Sequence, residues 1–418
     1  MDRPKVIERR GDRKRSAEEV AEYLVAVGTS LLECGCPAYR VESAVRTIAA
    51  LEGYRAEAFA LPTGLFVNVR GEGPSATPVH RMARITEWGL DLDRLVRVDD
   101  VFNAVARGER DLAAAEDDLE AHRASPRPWP RALRWLAIGA VGGAAAVFFR
   151  GSLVDAGVSA VLALALHGAI FAVKKNPAAR FLQDFVHAFL AAVLAYGASR
   201  LVSGASRDAI VLATIVSRVP GMTLTTGLAE LAQKNLVSGG ARLMEALVTL
   251  LSLVLGVAFA VALGRGAFAV TFEVQAHAGL GIGYQLAALL VASFGFGVLF
   301  SVPRAWLWTA FVSGAVGYGV SATALRAVPV HAAAFLASFG VCAFANGMAK
   351  LTDKPAQLFQ IPGMMLLVPG TFGFLAVSAL ARGEIEGAAR AVEVLLVAGG
   401  LVIGVIGANA VVPPRKIL

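Results

Sequence analysis

The chain has 418 residues, 56% of them hydrophobic, and a mean hydropathy of +0.62. That is more apolar material than a soluble core of this length buries, so the composition belongs to the membrane class and argues against an ordinary soluble protein. The net charge is +7, divided as −3 over residues 1–130 and +10 over residues 131–418. The basicity therefore sits beside apolar spans, as membrane-flanking anchors do, and argues against a nucleic-acid-binding face.

In chain order, the first forty residues are charged and hold no long apolar run, so no cleavable signal peptide is expected. Residues 16–53 read as two helices, 54–60, 63–70 and 78–87 as short strands, and 91–124 as further short helices. Together they predict a small α+β soluble domain over 1–125. It shows no phosphate-binding glycine loop, metal-ligand spacing or catalytic triad, so neither a cofactor nor a metal is expected. Cys34 and Cys36 could form a metal or redox pair, but no ligand cluster accompanies them, which favours small packed residues. Residues 126–130 follow as an extended proline linker.

Beyond the linker, a hydrocarbon core needs roughly 20 apolar residues per helix. Windows near 132–149, 152–173, 179–201, 206–220, 240–264, 279–302, 305–325, 330–350, 355–380 and 387–411 read as spans, about ten in all, of which the first and fourth are short. Lys and Arg near the span ends number 13 on the side of the N-terminus and 7 on the other. Both termini are therefore expected in the cytoplasm, with the chain multi-pass in an inner (plasma) membrane.

Two segments inside this region look alike. Pro220-Gly221-Met222 and Pro362-Gly363-Met364 lie 142 residues apart, each after three apolar spans and before one long final span. The region thus reads as five spans (131–265) plus five (279–412). An odd number makes the second unit enter the membrane with opposite polarity, an inverted repeat. Such repeats place a substrate site near the midplane, at interrupted helices in corresponding positions. The interruptions expected here are the two Pro-Gly-Met triplets and Pro369-Gly370. Proline frees backbone groups that must face protein or a wet cavity; the alternative is a pair of ordinary kinks.

Polar residues at membrane depth are functional candidates. Asp184 and His187 share a helix face and could relay protons; the alternative is an Arg180–Asp184 interfacial pair with His187 packed beside it. Arg218 suits a bidentate grip on a carboxylate, or else partners Glu230 or Glu245. Thr223, Thr225 and Thr226 offer hydroxyls after the first break, and Gln360 an amide before the second. Arg242 and Glu245, at i, i+3, are expected to pair with each other.

The segments 35-GCPAYRVESAV-45, 61-LPTGLFVNV-69, 219-VPGMTLTTGLAEL-231, 239-GGARLMEAL-247 and 361-IPGMMLLVPG-370 resemble the threonine/serine exporter family over nearly the whole chain. The order of motifs is that of the family's fused form. The resemblance implies proton-driven efflux of L-threonine and L-serine, and the split form of the family points to small dicarboxylates as an alternative cargo. The sequence departs from the family at Glu230, where Asp within an Asn-Gly-containing stretch is common.

The resulting expectation is an all-α polytopic membrane domain of about ten helices, a five-plus-five inverted repeat, behind a small α+β domain. Its partners are a small-molecule substrate, the bilayer and protons, with a homo-oligomer open. Substrate binding falls to Arg218, Pro220, Gly221, Thr223, Thr225, Thr226, Gln360, Pro362, Gly363, Pro369 and Gly370, and proton coupling to Asp184, His187, Glu230 and Glu245. A membrane-anchored sensor or hydrolase is the rival from another class, but no nucleophile with a base in reach is visible.

Overall fold

The computed structural model describes residues 15–71, 77–173, 182–268, 279–367, 373–376, 379 and 386–414. Local signals build the N-terminal unit. Ser16 opens α1 (Ala17–Glu33) with a capping box: its hydroxyl accepts from Glu19 N at 3.1 Å, and the Glu19 carboxylate accepts from Ser16 N at 2.8 Å. The helix ends at Gly35, φ +85°, where Gly35 N and Cys36 N donate back to Leu32 O and Leu31 O. Only glycine takes that left-handed conformation without a Cβ penalty. The chain then turns through Pro37 into α2 (Ala38–Leu51).

Three antiparallel strands follow in the order β1 (Arg55–Leu61), β2 (Gly64–Arg70) and β3 (Val79–Arg84), with Phe59 opposite Phe66 and Asn68 opposite His80. One face of β2 is buried through Leu65, Val67 and Val69, while Phe66 points out. α3 (Leu92–Ala106), capped by Asp91, and α4 (Leu112–Ala124) pack beside α1.

The core of this unit does not stop at its own boundary. Tyr23, Leu24, Ile48, Leu65 and Phe102 belong to one buried cluster with Val302, Ala345, Leu358, Phe359 and Ile361 of the helical region. Directed bonds reinforce the junction. Leu92 N donates to Phe300 O at 2.9 Å, and Trp129 Nε1 donates to Val302 O at 2.8 Å. Lys354 Nζ meets both Asp100 oxygens at 2.8 and 2.9 Å. The segment 126–130 is therefore pinned through Trp129, over whose ring Arg304 also lies.

The helical region comprises α5 (Arg131–Phe148), α6 (Leu153–Val173), α7 (Gln183–Leu201), α8 (Arg207–Ile215), α9 (Gly221–Ala232), α10 (Leu236–Phe268), α11 (Ile282–Leu299), α12 (Leu307–Ala324), α13 (Val330–Thr352), α14 (Ala356–Met365) and α15 (Glu386–Val411). Six described helices are long and apolar enough to cross a membrane, and a bent pair raises this to seven. The ten hydropathy windows are thus not matched one to one. Two of them, 206–220 and 355–380, hold short pieces: α8 has 9 residues and α14 has 10. α7 and α12 carry polar or small hydroxylated residues that dilute their apolar stretch.

The two Pro-Gly-Met triplets stand in different local structures. The first marks a true break: residues 207–218 and 221–232 are bent by 53° about Val219-Pro220. The second does not break its helix, since Pro362 lies inside α14, which runs on to Met365. Its missing N–H deletes one rung of the ladder, to Leu358 O, without ending the helix. Pro369 and Gly370 lie outside the described residues.

Close helix approaches are made at glycines. A Cβ on Gly363 would fall onto Ser313 of α12, and a Cβ on Gly239 would come within 2.7 Å of Gly227 O. The α12–α14 and α9–α10 seams are therefore set by missing side chains.

Candidate functional site

A cavity of about 550 Å³ lies between the N-terminal unit and the helical region. Its walls come from far apart in sequence. The α1–α2 turn contributes Cys36 and Pro37, the first turn of α2 contributes Tyr39 and Arg40, and Trp88 closes the same side. The start of α7 contributes Gln183 and Asp184, and the break before α9 contributes Arg218 and Pro220. Thr223, Thr225 and Thr226 follow on α9, with Arg242, Glu245 and Thr249 on α10. α14 brings Gln357, Gln360 and Met364, and α15 brings Val402 and Val405.

The break explains why Arg218 reaches the cavity. Pro220 cannot donate a hydrogen bond back along the chain, so the turn Val216–Arg218 ends there and α9 restarts in a new direction. Arg218 Nη1 meets Asp184 Oδ1 at 3.3 Å, with the two side chains 18% and 23% exposed. That is an open, single-point pairing rather than a sealed bidentate one. Of the hydroxyls, Thr225 donates to Gly221 O at 3.0 Å within its own helix. Thr223 and Thr226 are half-buried in the wall.

A second polar centre adjoins the first. Glu230 is fully buried, and its carboxylate accepts from Arg242 Nε at 3.2 Å to each oxygen, from Ser238 Oγ at 2.7 Å and from Ala38 N at 2.9 Å. The last donor is the first residue of α2, so this bond ties the N-terminal unit to the α9–α10 hairpin. The Arg242 guanidinium also lies 5.5 Å from the centre of the Trp88 ring. A buried pair of this kind holds because every oxygen finds a donor.

Several expectations change at this point. Arg242 pairs with Glu230, not with Glu245, because Glu230 is buried across the hairpin while Glu245 is exposed. Arg218 meets Asp184 and neither glutamate. Arg180 lies outside the described residues. His187 is buried, with Nε2 3.3 Å from Thr214 O, and it is not among the cavity residues that include Asp184. Gly221, Glu230, Pro362 and Gly363 also stand behind the wall.

Cys34 and Cys36 line the cavity as free thiols, and no metal-binding cluster occurs among the described residues. Burial pushes the Cys36 thiol up to about 12 and that of Cys34 well above its usual range. Neither is a thiolate near neutrality, which is the form that binds metal or exchanges disulfides.

One wall residue carries no sequence signal at all. Gln357 is 6% exposed, and neither of its amide atoms has a hydrogen-bond partner among the described residues. A buried polar atom left unpaired costs about 1–3 kcal/mol. Gln183 Oε1 is in the same position.

A family model described as a threonine/serine exporter matches residues 22–264, and a second, described as "Threonine/Serine exporter, ThrE", matches residues 285–411. The chain belongs to the threonine/serine exporter family. The first matched segment ends inside α10 and the second begins inside α11, and both contribute to the cavity wall. This exporter-family chain is a multi-pass membrane protein, and its family is one of transporters.

Among curated proteins it is similar to "Uncharacterized protein C16A10.01" of Schizosaccharomyces pombe, 27% identical over 386 residues, covering 88% of this chain and 45% of that protein. It is also similar to "Uncharacterized protein C7D4.12c" of the same organism, 25% identical over 254 residues, covering 58% of this chain and 32% of that one. The exporter-family chain therefore spans less than half the length of these relatives. No solved structure matches it significantly.

Proposed function

We propose that this chain exports small hydroxylated amino acids, L-threonine and L-serine, through the cavity between its N-terminal unit and its helices, with protons as the coupling ion. The observation that carries the reading is the wall itself. One open arginine–carboxylate pair, the α9 hydroxyls and the α14 amides converge where a helix is broken. A zwitterion with a hydroxyl needs that mixture of partners.

In this account the cargo carboxylate competes with Asp184 for Arg218. The single 3.3 Å contact leaves further guanidinium N–H groups for a bidentate grip. Protonation of Asp184 removes its charge and hands Arg218 to the cargo, which links proton and cargo. Thr223, Thr226 and Gln360 contact the hydroxyl and the amine, and Glu245 is a second proton-binding group in the wall. His187 and Glu230 act from behind the wall, the first packed on Thr214 and the second on Arg242.

We read the arginine and lysine bias at the span ends as favouring both termini in the cytoplasm, in an inner (plasma) membrane. The N-terminal unit then covers the loading side. We read the helical region as ten spans in two inverted sets of five, with the Val219-Pro220 break at the pivot.

The test is transport by the purified chain in proteoliposomes with an imposed pH gradient. Labelled threonine and serine should move against their gradient, and a protonophore should abolish the movement. Accumulation of succinate but not of either amino acid would transfer the reading to dicarboxylates. Failure of all three to move would sink it.

A further inference from the structure

The sequence points to Gln360 on α14, and the structure places a more deeply buried amide one turn earlier. Gln357 sits in the first turn of α14, three residues before Gln360, and both line the cavity. That spacing puts them on one helix face. The two differ in burial: Gln360 is half-buried, whereas Gln357 is 6% exposed. Neither Oε1 nor Nε2 of Gln357 has a partner among the described residues. The large majority of such atoms in natural interiors are paired with protein or ordered water, so an amide left unpaired in a cavity wall is available to a polar ligand.

Gln183, at the start of α7, repeats the feature. Its Oε1 is buried, unpaired among the described residues, and part of the same cavity. The wall thus offers the unsatisfied Gln357 amide, acceptor and donor alike, and the unsatisfied Gln183 Oε1, with the Glu245 carboxylate also in it. Acceptors call for a ligand that donates. An ammonium group carries three N–H donors, whereas a dicarboxylate carries none when ionised.

We infer that Gln357, with Gln183, is the specificity-determining amide of the cavity: it takes the ammonium group of an amino-acid cargo and so excludes acids that lack an amine. This rests on the transport reading above and assigns the group that selects within it. The Gln357 oxygen accepts from the cargo ammonium, and its Nε2 donates to the cargo hydroxyl or carboxylate. Whichever way the amide is turned, it presents one acceptor and two donors. A cargo lacking the amine leaves buried acceptors unpaired, and a site built on hydrogen bonds rejects such analogues strongly.

The experiment is equilibrium binding of labelled L-threonine to the full chain in lipid nanodiscs. Competitors are 3-hydroxybutyrate, which is threonine without its amine, and succinate. The wild type should prefer threonine over both by at least about tenfold. Gln357→Leu and Gln357→Met should each weaken threonine by about tenfold or more and bring the preference over 3-hydroxybutyrate close to one. Their melting temperature without cargo should be unchanged or raised, because each replaces a buried unpaired amide by an apolar side chain.

Wild-type affinity and preference in both variants would overturn the inference, as would wild-type binding of 3-hydroxybutyrate or succinate equal to that of threonine. Absence of threonine and serine binding in the wild type itself would overturn the transport reading as well, and needs no variant to see. Methionine keeps the length of glutamine, so it serves where leucine disturbs folding.

Discussion

Arg242 has two carboxylates within helical reach, Glu245 one turn ahead and Glu230 across the α9–α10 hairpin, and burial favours Glu230. A guanidinium 4% exposed needs a partner that is also out of water. Removing that partner is therefore expensive. Glu230→Ala should destabilise the protein by about 3–5 kcal/mol in chemical unfolding, because Arg242 is left charged and unpaired. The double change Glu230→Met with Arg242→Met should recover most of that loss, since apolar pairs of similar volume often match a buried ion pair. Glu245→Ala should shift stability by no more than about 0.5 kcal/mol. Spacing along one helix suggested the Arg242–Glu245 pair. The true partner lies twelve residues away on another helix, and i, i+3 reasoning does not see it. Gln357 was equally illegible, because an unpaired amide is a property of its surroundings.

At the scale of elements, the strands and helices of the first 125 residues were legible, because capping, alternation and turn glycines are local. Ser16 and Glu19 make the capping box that their spacing allows, and Gly35 ends α1. The helical region was less legible. Hydropathy finds apolar length, but α8 and α14 are pieces of 9 and 10 residues whose bounds an apolar window does not mark. Proline was a sound signal of a break at Pro220 and a misleading one at Pro362, where α14 continues on the strength of its contacts with α12 and α13.

The α12–α14 seam depends on Gly363, where an added Cβ would come within 2.8 Å of Ser313 O. Gly363→Ala should therefore lower stability by about 1–3 kcal/mol and displace the face that carries Gln357 and Gln360. Threonine transport in proteoliposomes should fall with it. Gly319→Ala, with nothing within 4 Å of the new carbon, should lower neither quantity.

At the scale of the molecule, the N-terminal unit is part of the candidate site. The sequence divides at its proline linker into a charged part and an apolar part. The structure joins them by a shared apolar cluster and by the bond from Ala38 N to Glu230, 192 residues away. A backbone N–H has no residue type to betray it, so no pattern in the sequence shows this link. With Tyr39, Arg40 and Trp88 in its wall, the cavity is completed by residues ahead of the first apolar helix.

If cargo passes through this cavity, narrowing it blocks transport. Thr223 is half-buried in the wall and belongs to neither the Arg218–Asp184 nor the Arg242–Glu230 pair. Thr223→Trp places a large ring in a space of about 550 Å³. The measurement is counterflow of labelled L-threonine in proteoliposomes, alongside the melting temperature of the variant. Counterflow should be abolished with the melting temperature retained. Wild-type counterflow through the filled cavity would contradict passage by this route.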